Sequence, residues 1–183
     1  HWWSMFLYWD YSDAGNVHGV IEWAWAERDR SQISEAAIEL YGTTLAWFFT
    51  SSQRFLRDRA TKALVSLLEG RERVLVRLLE KFREVNDPYV SARLYAVAHG
   101  VVLRSEDNAG VKVVAEWIHR EAFAAGAPPP SVLLRMHAAA AVKAVMVRGL
   151  VPSIDPATIR TPFKSEGPEA IRSLDELKTQ FQG

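Results

Sequence analysis

Apolar residues recur at spacings of three and four along most of this chain, the signature of helices with one buried face. The first such run follows Asn16, a capping residue type, and carries Val17, Val20, Ile21, Ala24 and Trp25 before ending near Asp29. A second starts after Ser34 with Ala37, Ile38, Tyr41, Leu45, Phe48 and Phe49, weakened by Gly42 at a cost of about 1 kcal/mol. Thr50-Ser51-Ser52 then supplies a turn whose hydroxyls are placed to cap a third helix over residues 54–69. Leu56, Ala60, Ala63, Leu64, Leu67 and Leu68 share its inner face, and Gly70 ends it.

The fourth helix, from Arg71 to about Val85, has the cleanest stripe: Val74, Leu75, Leu78, Leu79, Phe82 and Val85 stand opposite charged positions. Asp87 is placed to cap the fifth, with Pro88 in its first turn, where the missing N–H costs nothing. Val90, Leu94, Val97, Val101 and Val102 line that helix. Residues 105–108 break it and cap a sixth, with Val111, Val114, Ala115, Ile118 and Ala122 facing inward. Ala125-Gly126-Ala127-Pro128-Pro129-Pro130 is a stop. An alanine-rich seventh helix runs from Ser131 to about Arg148, and no segment reads as a strand.

Short connections favour antiparallel pairs: the second helix with the third, the fourth with the fifth, the sixth with the seventh. Residues 56–64 also lie over residues 90–98 at an offset of 34. Within them Leu56-Arg57-x-x-Ala60-x-x-Ala63-Leu64 resembles the second-helix signature of HEAT repeats, and Asp87-Pro88-x-Val90 resembles the entry into that helix. A third copy, around residues 132–142, is weaker and offset by about 42. The expectation is an all-α, HEAT/armadillo-like α-α superhelix of about three hairpins plus an N-terminal helix. Residues 1–33 form an aromatic-rich cap and helix, 34–150 the repeats, and 151–183 a proline-containing extended arm. Ser173-Leu174-Asp175-Glu176 has capping-box spacing for a short terminal helix.

Composition narrows the function classes. Twenty-two basic and 22 acidic residues leave no net charge, so binding to nucleic acid by bulk electrostatics is not expected, although Arg54, Arg57, Arg59 and Lys62 form a local basic run. The absence of cysteine excludes disulfides, thiolate zinc sites and thiol nucleophiles, and fits the expected cytoplasmic location. No apolar run is long enough to span a membrane, and no secretory signal is visible. The opening His1-Trp2-Trp3-Ser4-Met5 suggests a piece of a longer protein.

A more particular resemblance covers three stretches: residues 45–68, from Leu45-Ala46-Trp47 to Leu68, then residues 86–100, and Ile159-Arg160-Thr161-Pro162-Phe163 through Pro168. These are similar to segments of large bacterial antiviral STAND NTPases (Avs type). The resemblance implies that an effector and a nucleotide-binding module precede a helical-repeat region, which recognises a phage protein and triggers assembly. The tail departs at Gly167, where an aromatic residue is expected. No catalytic residue and no cofactor is implied here, since the chain has no Gly-x-x-x-x-Gly-Lys-Ser/Thr phosphate loop.

Individual residues add candidates. Trp2, Trp3, Phe6, Tyr8, Trp9 and Tyr11 crowd the first eleven positions and must cover either the end of the stack or another domain. Trp2, Trp3 and Trp9, with Arg54, Arg57 and Arg59, are therefore the candidate partner-binding residues, because Trp, Tyr and Arg dominate binding hot spots. Arg57, Asp58 and Arg59 suit an ion-pair ladder between repeats or a solvated set. Glu116 and His119 have the Glu-x-x-His spacing of di-iron bundles, but a single copy reads better as surface polarity on a helix. His99, His119 and His137 fall on successive helices and would hold a metal only if all three rings turned to one side; separate packing roles are expected. Ser51, Ser52 and Ser66 lack a nucleophile elbow. The function expected is protein recognition or scaffolding within a larger NTPase. Its rivals are a HEAT-like DNA glycosylase, needing a basic concave face around a buried carboxylate, and a purely structural linker.

Overall fold

The computed structural model describes residues 2–163 together with 173, 174, 176 and 178. Ser34, Asp87, Asp107 and Ser131 each end a loop by accepting a hydrogen bond from a first-turn amide, and each opens a helix at that point. The helices are α1 (Trp2–Ser12), α2 (Asn16–Trp25), α3 (Glu35–Trp47), α4 (Arg54–Leu68), α5 (Glu72–Lys81), α6 (Pro88–Arg104), α7 (Asn108–Ala122) and α8 (Val132–Val147). Short 3-10 turns cover Phe48–Thr50 and Pro156–Ile159, and there is no strand among the described residues. Ser173 and Glu176 exchange the reciprocal capping-box bonds, Ser173 N–H to Glu176 Oε2 at 2.7 Å and Glu176 N–H to Ser173 Oγ at 3.3 Å. Of the tail that carried the family resemblance, residues 164–168 lie outside the described residues.

Three local expectations are corrected. Asn16 does not cap α2: the chain turns at Gly15, and Asp10 at the end of α1 reaches over to accept from the Val17 amide at 2.6 Å. Residues 50–52 do not cap α4, because the 3-10 turn extends α3 and leaves Gln53 at the cap position. Thr50 donates instead to Trp47 O at 2.7 Å, and Ser51 Oγ accepts from the Gln53 amide at 3.2 Å. The N-terminal aromatics are themselves a helix, α1, in which only Leu7 is buried.

Alternate helices stack. α2, α4, α6 and α8 pack side by side in that order, α3, α5 and α7 form a second row, and α1 lies against α2. The pairs α3/α4 and α7/α8 pack as expected; α5 and α6 meet each other far less than they meet their stacking neighbours. The buried faces are those predicted by periodicity: Leu56, Ala60, Ala63, Leu64, Leu67 and Leu68 of α4 are wholly buried, as are Val74, Leu75 and Leu78 of α5. Burial of one leucine contributes about 1.5–3 kcal/mol. The four leucines of α4 therefore outweigh any one surface ion pair, at about 0–1 kcal/mol.

The carboxyl ends of α2, α4 and α6 are closed by arginines. The Arg30 guanidinium, buried beside Trp23, donates to Trp23 O, Ala24 O and Ala26 O at 2.7–3.0 Å. Arg71 donates to Leu67 O at the end of α4 and to Arg30 O, and Arg148 donates to Val102 O and Ser105 O at the end of α6. Each cation meets orphan carbonyls at the negative pole of a helix. The arm after α8 folds back: Val151 and Ile154 are buried, and Phe163 stacks on Phe123 at 5.7 Å.

Salt bridges tie the second row. Glu39 of α3 accepts from Arg77 Nε and Lys81 Nζ of α5, each at 2.9 Å, and these bonds, Lys81 first and then Arg77, hold its pKa below the ordinary 4.5. The folded state thus favours the ionised carboxylate. Its contribution is complete above about pH 4.5 and is lost as pH falls through the lower folded value. Glu39→Gln is expected to cost no more than about 1 kcal/mol at neutral pH and to flatten the acid limb of a urea-unfolding profile; an unaltered acid limb would count against the pairing.

Gly110 makes a second testable contact. A Cβ there would stand 2.6 Å from Asp107 Oδ2 and 2.7 Å from Oε2 of the buried Glu72, which rests against the first turn of α7. Gly110→Ala should disturb both the Asp107 cap and Glu72 and lower stability by about 1–2 kcal/mol. The control Gly19→Ala, with nothing within 4 Å, should be neutral or stabilising. Equal denaturation midpoints for the two variants would refute this account.

Candidate functional site

The helical spacing that buries Leu56 and Leu64 turns Phe55, Asp58, Arg59 and Lys62 of α4 the other way. Next to them α6 presents Tyr89 and Arg93, and α8 presents Leu133, Met136 and His137. Phe55 is 74% exposed, Leu133 54%, and Tyr89 and Met136 52% each, so the outer side of the first row is rich in accessible apolar surface. Between α6 and α8 lies a hollow of about 350 Å3 walled by Tyr89, Ala92, Arg93, Ala96, Leu133 and His137. The 34-residue echo sets Phe55 opposite Tyr89, and that equivalence was the available signal for this face.

Basic residues here find partners within the chain, and only some of those partners are carboxylates. Arg93 Nη1 lies 2.6 Å from Asp58 Oδ1, and Arg54 approaches the same carboxylate at 3.5 Å. Arg59 pairs with Glu22 of α2 and stacks over Trp25. Arg57 donates to Ser51 O at 2.7 Å and covers the Tyr89 ring at 4.8 Å. Arg54, Arg57 and Arg59 therefore point to different partners. Asp58 and Arg59 make ion pairs to neighbouring helices as a ladder would, whereas Arg57 meets a carbonyl and a ring. Both carboxylates remain accessible, Asp58 at 36% and Glu22 at 45%, whereas the buried Glu72 lies away at the α5/α7 contact.

At the amino end, α1 divides its rings. Trp3 Nε1 donates to Thr50 Oγ1 at 2.9 Å, and the Ser52 amide donates to Ser4 Oγ at 3.1 Å, fixing the helix to the turn before α4. Trp2 stacks on Phe6 and Trp9 meets Tyr8 edge-on, yet Trp2 is 77% and Met5 and Trp9 are 58% exposed.

Two of the three singled-out histidines come together. His99 of α6 and His137 of α8 face each other with Nδ1 atoms 3.4 Å apart. Burial lowers both pKa values, and for His137 the charges of His99 and Arg93 lower it further. His119 stands elsewhere on α7, its Nε2 2.9 Å from Thr158 Oγ1. Glu116 pairs with Lys112 at 3.9 Å. No cluster of three or more His, Cys, Asp or Glu side chains suited to a metal occurs among the described residues.

A second hollow of about 350 Å3 opens where α5, α6 and α7 converge, walled by Leu79, Phe82, Leu94, Tyr95, Trp117 and Pro130. Burial, and then the charge of Glu121, push the Tyr95 phenol up to about 12, so it remains a proton donor at neutral pH. Trp117 Nε1 donates to Glu80 Oε2 at 3.0 Å. Ser91, Ser131, Arg83, Asp87 and Glu121 also border this hollow, so its apolar floor has a polar and charged rim.

No protein-family model, curated protein or solved structure matches the chain. No helix among the described residues is long and apolar enough to cross a membrane.

Asp58 and Glu22 offset only part of the charge of Arg54, Arg59 and Arg93. Asp58→Asn combined with Glu22→Gln should therefore strengthen salt-sensitive binding to duplex DNA relative to the unaltered chain. Fluorescence anisotropy across a salt series checks this, and equal affinities would show that the two carboxylates do not screen these arginines.

Proposed function

We propose that this chain is a non-catalytic protein-recognition or scaffolding segment, a HEAT-like stack within a larger bacterial NTPase that serves antiviral sensing. The observation that carries the reading is α1: a helix anchored through Trp3 and Ser4 while Trp2, Met5 and Trp9 stay in solvent. Contiguous exposed rings of this kind mark protein contacts, and tryptophans supply much of the energy in such contacts. The apolar positions on α4, α6 and α8 give further support. So do the stacking of alternate helices and the polar contacts between stacked helices at sequence separations of 32 to 42, in the range of helical-repeat periods. The glycosylase alternative is disfavoured by the place of the buried Glu72, which lies at the α5/α7 contact away from the arginines of α4. A structural linker would have no use for exposed Trp2 and Trp9.

The test is photocrosslinking from position 5 in the full-length gene product in its host. A discrete protein adduct is expected, lost with Trp2→Ala and Trp9→Ala. Adducts with nucleic acid, or protein adducts indifferent to those substitutions, would overturn the recognition role. The same gene product is expected to encode a phosphate-binding loop outside these residues; without one the NTPase assignment falls.

A further inference from the structure

We propose that His99 and His137 form a two-imidazole site for a divalent transition metal such as Zn2+ or Cu2+, clamping α6 to α8. The geometry is that of a metal bite. Two nitrogens held at about 2.0–2.1 Å from a tetrahedral ion stand roughly 3.3–3.4 Å from one another, and the two Nδ1 atoms are 3.4 Å apart. That separation is long for a direct N–H···N bond, which centres near about 2.9–3.0 Å. The rings lie 5.7 Å apart between centroids and are inclined at 48°, so the facing nitrogens converge without the rings stacking.

Three further features suit a metal. Burial disfavours the imidazolium form of both residues, leaving lone pairs free for coordination at neutral pH. Imidazole is a preferred ligand of zinc, copper and nickel. The two helices make the most extensive contact of any pair in the fold, so the ligands sit on fixed supports. Arg93, whose charge opposes a cation at His137, is bound to Asp58 at 2.6 Å. His137 also lines the open α6/α8 hollow, through which an ion and its water ligands can enter. With two protein ligands, the other positions go to solvent or to a group on an incoming molecule.

Long-range 1H–15N spectra of the imidazoles, recorded while Zn2+ is added at neutral pH, provide the test. Zn2+ should shift the Nδ1 signals of two histidines, one of which should be absent from the His99→Gln spectrum and the other from the His137→Gln spectrum. The His119 signals should stay in place. By calorimetry either substitution should lower affinity for this site by about 10-fold or more, while His119→Gln leaves it unchanged. Unshifted His99 and His137 signals in the unaltered protein would overturn the proposal, whatever the variants do. Zinc bound only at His1 or His18 would shift other resonances, leave those of His99 and His137 in place, and so overturn the proposal.

Discussion

The fold turns on the seating of α6 between α4 and α8. A helix flanked on both sides within its own row must bury two stripes, and α6 does so with eight buried residues, Ala92, Ala98 and Val97 among them. Small side chains make the close approach feasible. A Cβ on Gly100 would stand 2.8 Å from Val65 of α4, and Ala138 and Ala141 of α8 are wholly buried. Interiors packed at this density leave little freedom for sliding. The position of α6 therefore fixes the positions of its neighbours.

That seating also determines which polar groups meet. Asp58 finds Arg93, Glu69 finds Arg104 at 2.7 Å, and His99 finds His137, each contact joining residues on successive members of one row. The two ion pairs are too exposed to drive folding. Asp58 offsets part of the positive charge of a surface that also exposes Phe55, Tyr89 and Leu133.

Much of the architecture was legible because its signals are local. Asp87-Pro88, Ser131 and Gly70 mark boundaries through their own backbone chemistry, and the α4 and α5 stripes name their buried residues by spacing alone. Contacts made at a distance were not legible. Nothing near Asn16 reveals that Asp10 occupies its role, and although helical spacing alone points the arginine-rich run of α4 in several directions, it does not name the partners its members find. α1 escaped because its rings are spread around the helix, leaving no stripe to count. The histidines were half legible: helical phase brings His99 and His137 within reach, while α7 belongs to the other row and carries His119 away.

The arginine plugs at the carboxyl ends of α2, α4 and α6 bear on how the chain becomes ordered during synthesis. Arg30, Arg71 and Arg148 each follow the helix whose carbonyls they satisfy, and for α6 the plug lies beyond both α7 and α8. A ribosome must therefore deliver more than forty further residues before the last turn of α6 can be finished. α2 and α4 receive their plugs before the next helix begins, whereas the end of α6 stays provisional until α8 has emerged. Completion of α6 is thereby coupled to the layer that follows it.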